Sequence, residues 1–398
     1  MSRQLLRAGY QRRTSRDHPT EGAQHPFDVS TPEQVSPMRI HELFLAMAKH
    51  NASDLHLKVG EPPIFRINGE LVRMKSAVLT PEDTDALLTP MMSERAKADL
   101  EARGYADFSQ ALEGSGRYRC NVFRSSGRLS AAIRRVKLEI PTYDQLHLPS
   151  QMATCAAYEQ GLVLIGGITG SGKSTTIASV LNDINHKRRA HIITIEDPIE
   201  FIFTDDKSLI NQREIGIDVV NFTEALRSAV REDPDVMLLG EMRDAETFET
   251  ALTAAETGHL VFGTIHSSGA AQTIGRILDL FPEQKHHQIR TALAFNLRCV
   301  INQKLLQGAT KELPQVPAVE VMFITPVIKK MILEGEDMKV ADALGKDTEN
   351  GCQNYNRVLT QLYKDHKITM ETALNAAPNP EELRMAMRGI SISDGGIV

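Results

Sequence analysis

The chain has 398 residues, 41% hydrophobic and 24% charged, with 26 Gly, 18 Pro, 4 Cys and a formal net charge of -6. That balance suits an ordinary globular protein with room for two or three domains, and it excludes collagen-like, low-complexity and wholly disordered architectures. The acidic balance gives no general attraction to a phosphate backbone, and apolar runs such as Leu162 to Ile165 fall far short of the ~20 residues of a membrane-spanning helix, so neither nucleic-acid binding nor bilayer insertion is expected.

In chain order, residues 1–37 are rich in Arg, Ser, Thr, Gln and Pro without an apolar period, and read as a disordered extension. Arg3, Arg7, Arg12, Arg13 and Arg16 are not followed by an apolar h-region, so no secretory signal is expected and the default compartment is the cytoplasm. Residues 38–140 open on a helical pattern from Ile40 and continue with the short alternating segments DLHLKVG, PIFRING and GRYRCNVFR around a helical stretch from Pro81 to Arg103, which predicts a small α+β domain. The proline-bearing stretch IPTYDQLHLPS makes 141–154 a linker. Over 155–326 the apolar runs LVLIG, HIITIED, DVMLLGE and HLVFGTIH alternate with helical segments such as KSTTIASVLNDINHK and FTEALRSAVRED, the pattern of an α/β domain whose parallel sheet is covered on both faces. Residues 327–398 read as a helical C-terminal region, with PVIKKMILEG, YNRVLTQLYKDH and PEELRMAMRG its clearest pieces. Cys120, Cys155, Cys299 and Cys352 form no C-x-x-C pair and are expected to be reduced and chemically silent.

The strongest motif is Gly167-Ile168-Thr169-Gly170-Ser171-Gly172-Lys173-Ser174, which fills G-x(4)-G-K-S/T between an apolar strand and a helical segment. Gly167 through Thr175 are therefore expected to cradle nucleotide phosphates with backbone N–H groups, with Lys173 neutralising phosphate oxygens and the Ser174 hydroxyl on Mg²⁺. Three further apolar runs end in polar groups, where open α/β sheets collect ligands. HIITIEDPIEF supplies Glu196, Asp197 and Glu200, candidates to orient or deprotonate an attacking water. PDVMLLGE supplies Glu241 as the candidate metal-holding carboxylate, and GHLVFGTIH supplies His259 and His266. Seven residues apart over a strand, these two histidines fall at opposite ends and cannot share one small ion. In the first domain Arg117, Arg119, Arg124, Arg134 and Arg135 cluster, either as a solvated face or as cations offered to a neighbouring subunit's triphosphate.

The segments ASDLHLKVGEPPIFRINGEL (52–71), GRYRCNVF (116–123), GGITGSGKSTT (166–176), ITIEDPIEFIF (193–203), NQREIG (211–216), REDPDVMLLGEMRD (231–244) and TAAETGHLVFGTIH (253–266) resemble the secretion-superfamily ATPases, and within them the PilT/PilU-type ATPases of type IV pilus retraction. The resemblance runs from about Ile40 to about Ala376. It implies a PAS-like first domain, a RecA-like second domain and a homo-hexamer that hydrolyses ATP with Mg²⁺ between subunits. It also implies a cytoplasmic place at the inner membrane, acting on the platform protein of the pilus machine, with a paralogous ATPase as a further partner. By the same resemblance Glu200 is the catalytic glutamate with Glu196 as second choice, Glu241 sits at the metal, His259 and His266 fall in a His box, and Arg119 and Arg134 match inter-subunit arginines.

The sequence departs from that pattern at Ile168, where proline is frequent, and at Ser267 and Ser268, where threonines are commoner. It departs again at TPVIKKMI (325–332), where Lys329 and Lys330 replace the Arg and Asn of A-I-R-N-L-I and the planar bidentate donor of arginine is lost. Alternatives are a pilus assembly or type II secretion ATPase, or a PilU-like accessory of a paralogous motor. The assembly and secretion relatives usually carry a large extra N-terminal domain and a four-cysteine metal insertion, and this sequence shows neither. A nucleic-acid motor of the same fold is disfavoured by 5% aromatics and no Trp, which leave few stacking platforms.

Overall fold

The computed structural model describes residues 39–67, 69–112, 116–136 and 139–388, so the basic extension and the final tail singled out in the sequence lie outside the described residues. The chain divides into two compact units, Met1–Asp107 with Cys120–Arg134, and Phe108–Arg119 with Arg135–Val398.

The first begins with α1 (Ile40–Lys49), β1 (Asp54–Lys58), β2 (Ile64–Ile67) and β3 (Glu70–Arg73), followed by α2 (Pro81–Leu88) and α3 (Glu94–Arg103). Then come β4 (Tyr105–Leu112), β5 (Gly116–Ser125) and β6 (Arg128–Arg135), of which the Phe108–Arg119 stretch and Arg135 fall to the second unit, and the six strands lie in the order β3-β2-β1-β6-β5-β4. The helix starts are set locally. Thr80 accepts from the Asp83 N–H ahead of Pro81, and Ser93 accepts from the Ala96 N–H, each satisfying a donor with no intrahelical partner. Alternation buries Leu55 and Leu57 of β1, as the short alternating segments predict.

The second unit holds α4 (Gln151–Ala157), β7 (Gly161–Gly166), α5 (Lys173–Lys187), β8 (His191–Glu196), β9 (Leu209–Glu214), α6 (Phe222–Ala229), β10 (Val236–Leu239), α7 (Ala245–Glu256) and β11 (Leu260–Ile265). It continues with α8 (Ala270–Leu278), α9 (His286–Asn296), β12 (Leu297–Gln307) and β13 (Gln315–Phe323), and closes on α10 (Pro326–Glu334), α11 (Asp337–Lys346), α12 (Tyr355–Lys364), α13 (Met370–Ala376) and α14 (Pro380–Met387). The seven strands run β13-β12-β7-β11-β10-β8-β9. Every residue of β7, β10 and β11 is buried, because helices cover both sheet faces. The helical reading of the C-terminal region holds, and α4 begins inside the stretch read as linker.

Two details differ from a uniform β-α alternation. β12 and β13 are antiparallel, because only residues 308–314 connect them and a parallel return needs a crossover of a dozen or more residues. β9 pairs parallel with β8 after a connection, residues 197–208, that contains no helix. The C-terminal helices have a core of their own, built on Leu306, Val316, Ala318, Tyr355, Leu359, Ile368, Ala373 and Leu383.

Candidate active site

Strand register decides which residues meet. Ile265 of β11 and Asn302 of β12 both stand level with Gly166, the last residue of β7, and Leu239 of β10 stands beside Ile195 of β8. The residues that follow are therefore delivered to one edge of the sheet, the carboxyl ends of its parallel strands. A cavity of about 570 Å³ opens there, lined by Thr169, Gly170, Gly172, Lys173, Ser174, Thr175, Glu196, Glu200, Glu241 and His266 among others. Ile177, Phe201, Phe203, Phe222 and Leu305 form its apolar wall.

The glycine loop owes its shape to missing side chains. A Cβ on Gly167, whose φ is +143°, would stand 2.5 Å from the Gln303 carbonyl oxygen, and one on Gly172 would stand 2.8 Å from the Gln303 side-chain nitrogen. Gly172 occupies the left-handed region at the N-cap of α5 and no side chain caps that helix. The first N–H groups of α5 therefore have neither intrahelical nor capping partners, and a helix N terminus in that condition is a ready anion site. Lys173 Nζ donates to the Gly167 and Ile168 carbonyl oxygens at 2.8 and 3.0 Å, and burial holds its pKa below the usual lysine value. Ile168 is 71% exposed, so the loop accepts it in place of proline without repacking.

The carboxylates occupy different environments. Glu196 Oε1 accepts from Thr194 Oγ1 at 2.7 Å and Gln212 Nε2 at 3.3 Å, and the Glu200 backbone N–H also bonds to its carboxyl group. Burial pushes the Glu196 carboxyl above its ordinary range while these bonds pull the other way. Glu200 is exposed to the cavity. Glu241 is gripped by Arg243 through Nε and Nη2, and His266 Nε2 lies 3.2 Å from its Oε1. The hydrogen bond from Arg243 holds the Glu241 carboxyl below the usual carboxylate range.

His259 is not brought to this cavity. It stands before β11, at the far end from His266, where its Nδ1 lies 2.9 Å from the Ala254 carbonyl oxygen; because that oxygen can only accept, Nδ1 carries the proton. Arg119 on β5 does not line the cavity either. Arg119 and Arg134 of β6 are both exposed, and Arg134 Nε donates to Asp54 Oδ1 at 2.8 Å, as the register of β1 against β6 dictates.

The structure adds residues that the motifs did not mark. Gln303 accepts from Thr176 Oγ1 at 2.7 Å and donates to the Ser171 carbonyl at 2.8 Å, bracing the glycine loop from β12. Asn302 Nδ2 donates to the Ser267 hydroxyl at 2.7 Å and to its carbonyl at 3.1 Å, just after His266. Both amides are buried. Their sequence signal is an Asn-Gln pair that, with Lys304, interrupts the apolar residues of CVINQKLL, since buried amides persist only when hydrogen-bonded.

Strand, glycine loop and uncapped helix, with acids gathered on the adjoining strand ends, define a P-loop nucleotide-binding protein of the α/β class. The chain belongs to the type II/IV secretion system protein family, whose pattern it matches over residues 33–376. It is 40% identical to the type IV pilus retraction ATPase PilT of Pseudomonas aeruginosa, over 86% of this chain and 99% of that protein. It is 34% identical to the type IV pilus ATPase PilU of the same organism, over 90% and 93% of the two chains. A crystal structure of the pilus retraction motor PilT with bound ADP superposes with a TM-score of 0.82 at 45% identity, covering 87% of this chain and 99% of that one.

Proposed function

We propose that this protein is an ATP-hydrolysing motor of type IV pilus retraction. The observation that carries the reading is the single cavity in which Lys173, Glu200, Glu241 and His266 meet an anion-receiving helix N terminus, joined to likeness with a retraction ATPase over nearly that protein's whole length. In this reading the loop N–H groups and Lys173 hold the phosphates of ATP, while the apolar wall of Phe201, Phe203 and Phe222 receives the purine ring. Glu196 is committed to Thr194, Gln212 and the Glu200 backbone, and so shapes the turn that presents Glu200. The free Glu200 carboxylate then takes the proton of the attacking water.

The donor set also fits Mg²⁺. Among the described residues no cluster of three His, Cys, Asp or Glu side chains could cage a metal, and Mg²⁺ is commonly held by one or two carboxylates together with substrate phosphates. Ser174 and Glu241 would hold it, and it would neutralise charge on the transferred phosphate. Arg119, which does not line the cavity of its own protomer, and Arg134 on β6 are read as cations supplied to a neighbour in a homo-hexamer, with the inner-membrane platform protein of the pilus machine receiving the force and a PilU-like paralogue as a further partner.

The test is a count of surface pili in the native host. Deletion of the gene and Glu200→Gln should both leave excess pili, and the purified Glu200→Gln protein should retain nucleotide binding while losing at least about 100-fold in turnover. Loss of pili would assign the protein to assembly, and unchanged pili would reject a motor role in that system.

A further inference from the structure

The buried polar network beneath the glycine loop does not end at Asn302. Tyr355, the first residue of α12, donates its hydroxyl to Asn302 Oδ1 at 2.7 Å, so one amide side chain joins Tyr355 to Ser267. Tyr355 is 1% exposed and belongs to the core of the C-terminal helices. A second buried side chain makes a parallel connection. Glu320 on β13 accepts from the N–H of Ala270, first residue of α8, at 2.6 Å and from the N–H of Tyr355 at 3.3 Å. The loop from His266 to Gly269 is thereby pinned at both ends to groups that also fix the start of α12. Gly166 closes the fit, because a Cβ there would stand 2.2 Å from the Ser267 hydroxyl and 2.5 Å from Asn302 Nδ2. Lys304 anchors the other side, its Nζ 4.3 Å from the centre of the Tyr355 ring and 2.7 Å from the Ala376 carbonyl at the end of α13.

From this geometry we infer that Tyr355 and Asn302 are positioning residues for turnover: they hold the Ser267 loop, and through it the placement of His266 against Glu241, in step with the C-terminal helices. The inference rests on the ATP-hydrolysing reading above. None of the three polar groups faces the cavity, so the hydroxyl of Tyr355 acts on the chemistry only through the loop. Removing it shifts His266 without touching the glycine loop that binds phosphate, and small displacements of groups around a reacting centre are costly to rate.

The experiment uses the purified full chain and compares wild type, Tyr355→Phe, Ser267→Ala and the double variant. Turnover is normalised to sites titrated with a fluorescent ADP analogue, so partial unfolding does not masquerade as a rate effect. Tyr355→Phe keeps the ring in the core; it should lower kcat by roughly 10- to 100-fold with KM and analogue affinity changed by less than about threefold. Ser267→Ala removes the bonds of Asn302 and Thr273 to the hydroxyl and leaves that of Asn302 to the Ser267 carbonyl; it should also lower kcat, and the double variant should lose less than the product of the two single losses, because the variants share the Asn302 link. Wild-type kcat in Tyr355→Phe, equal losses in kcat and affinity, or additive losses in the double variant would each overturn the inference. Lys173→Ala separates the two readings. If wild type shows no Lys173-dependent hydrolysis, the proposed function falls and this inference with it; if that hydrolysis is present while Tyr355→Phe matches wild type, only the inference falls.

Discussion

Glu241 and Glu196 lie in one cavity yet are pushed in opposite directions, and the cause can be read atom by atom. The guanidinium of Arg243 donates to Glu241 and favours its charged form, whereas burial of Glu196 disfavours its own. The signs for stability follow. A carboxyl whose folded pKa is lowered contributes stability above its ordinary value of 4.5, and that contribution disappears as the pH falls through the folded value. A raised carboxyl, as at Glu196, does the reverse, stabilising below the ordinary value and losing that contribution as the pH rises through the folded one. Lowering the pH from about 7 to about 3.5 should therefore reduce the thermal midpoint of wild type more than that of Glu241→Gln. Parallel midpoint curves for the two proteins would show that the Arg243 clamp carries no folding energy.

At the scale of elements, β12 does more than complete the sheet. Its successive residues Asn302 and Gln303 face two different parts of the site, because neighbouring side chains on a strand point to opposite faces. Gln303→Leu strips the Ser171 carbonyl and the Thr176 hydroxyl of their buried partner, which should destabilise the protein by about 1–3 kcal/mol in urea unfolding and weaken ADP binding as the glycine loop loosens. Unchanged stability and affinity would mean that the loop holds its shape without β12.

The same strand marks how far the sequence could be read. The P-loop, the apolar strands and the strand-end acids were legible because each is a local pattern with its own period or spacing. Gln303 and Ser171 lie 132 positions apart, Tyr355 and Asn302 lie 53 apart, and no local pattern announces such pairs. The antiparallel edge was missed for a related reason, since an apolar strand looks the same in either direction and only the short connection to β13 fixes it. The two histidines of GHLVFGTIH show the middle case. Spacing correctly placed them at opposite ends of a strand, but which end meets the carboxylates came from the sheet order.

For the whole molecule, the proposed hexamer makes a distinct demand of Arg119, an exposed cation that does not line the cavity of its own chain. If it serves a neighbour, Arg119→Ala should leave ADP affinity within about threefold of wild type and lower turnover of the assembled protein by at least tenfold, on the order of an arginine-finger loss. Native mass should be near six times 44.1 kDa for both proteins. Full turnover in Arg119→Ala would place the needed cation elsewhere.

If the protein is the proposed ring motor, its sites must also empty, and the side chain of Lys173 reaches partners within its own loop. With the Gly167 and Ile168 carbonyls within hydrogen-bond reach, a departing phosphate would hand the ammonium to the loop's own oxygens. Release of product would then exchange one set of partners for another, and the half-buried ammonium would not be left unpartnered.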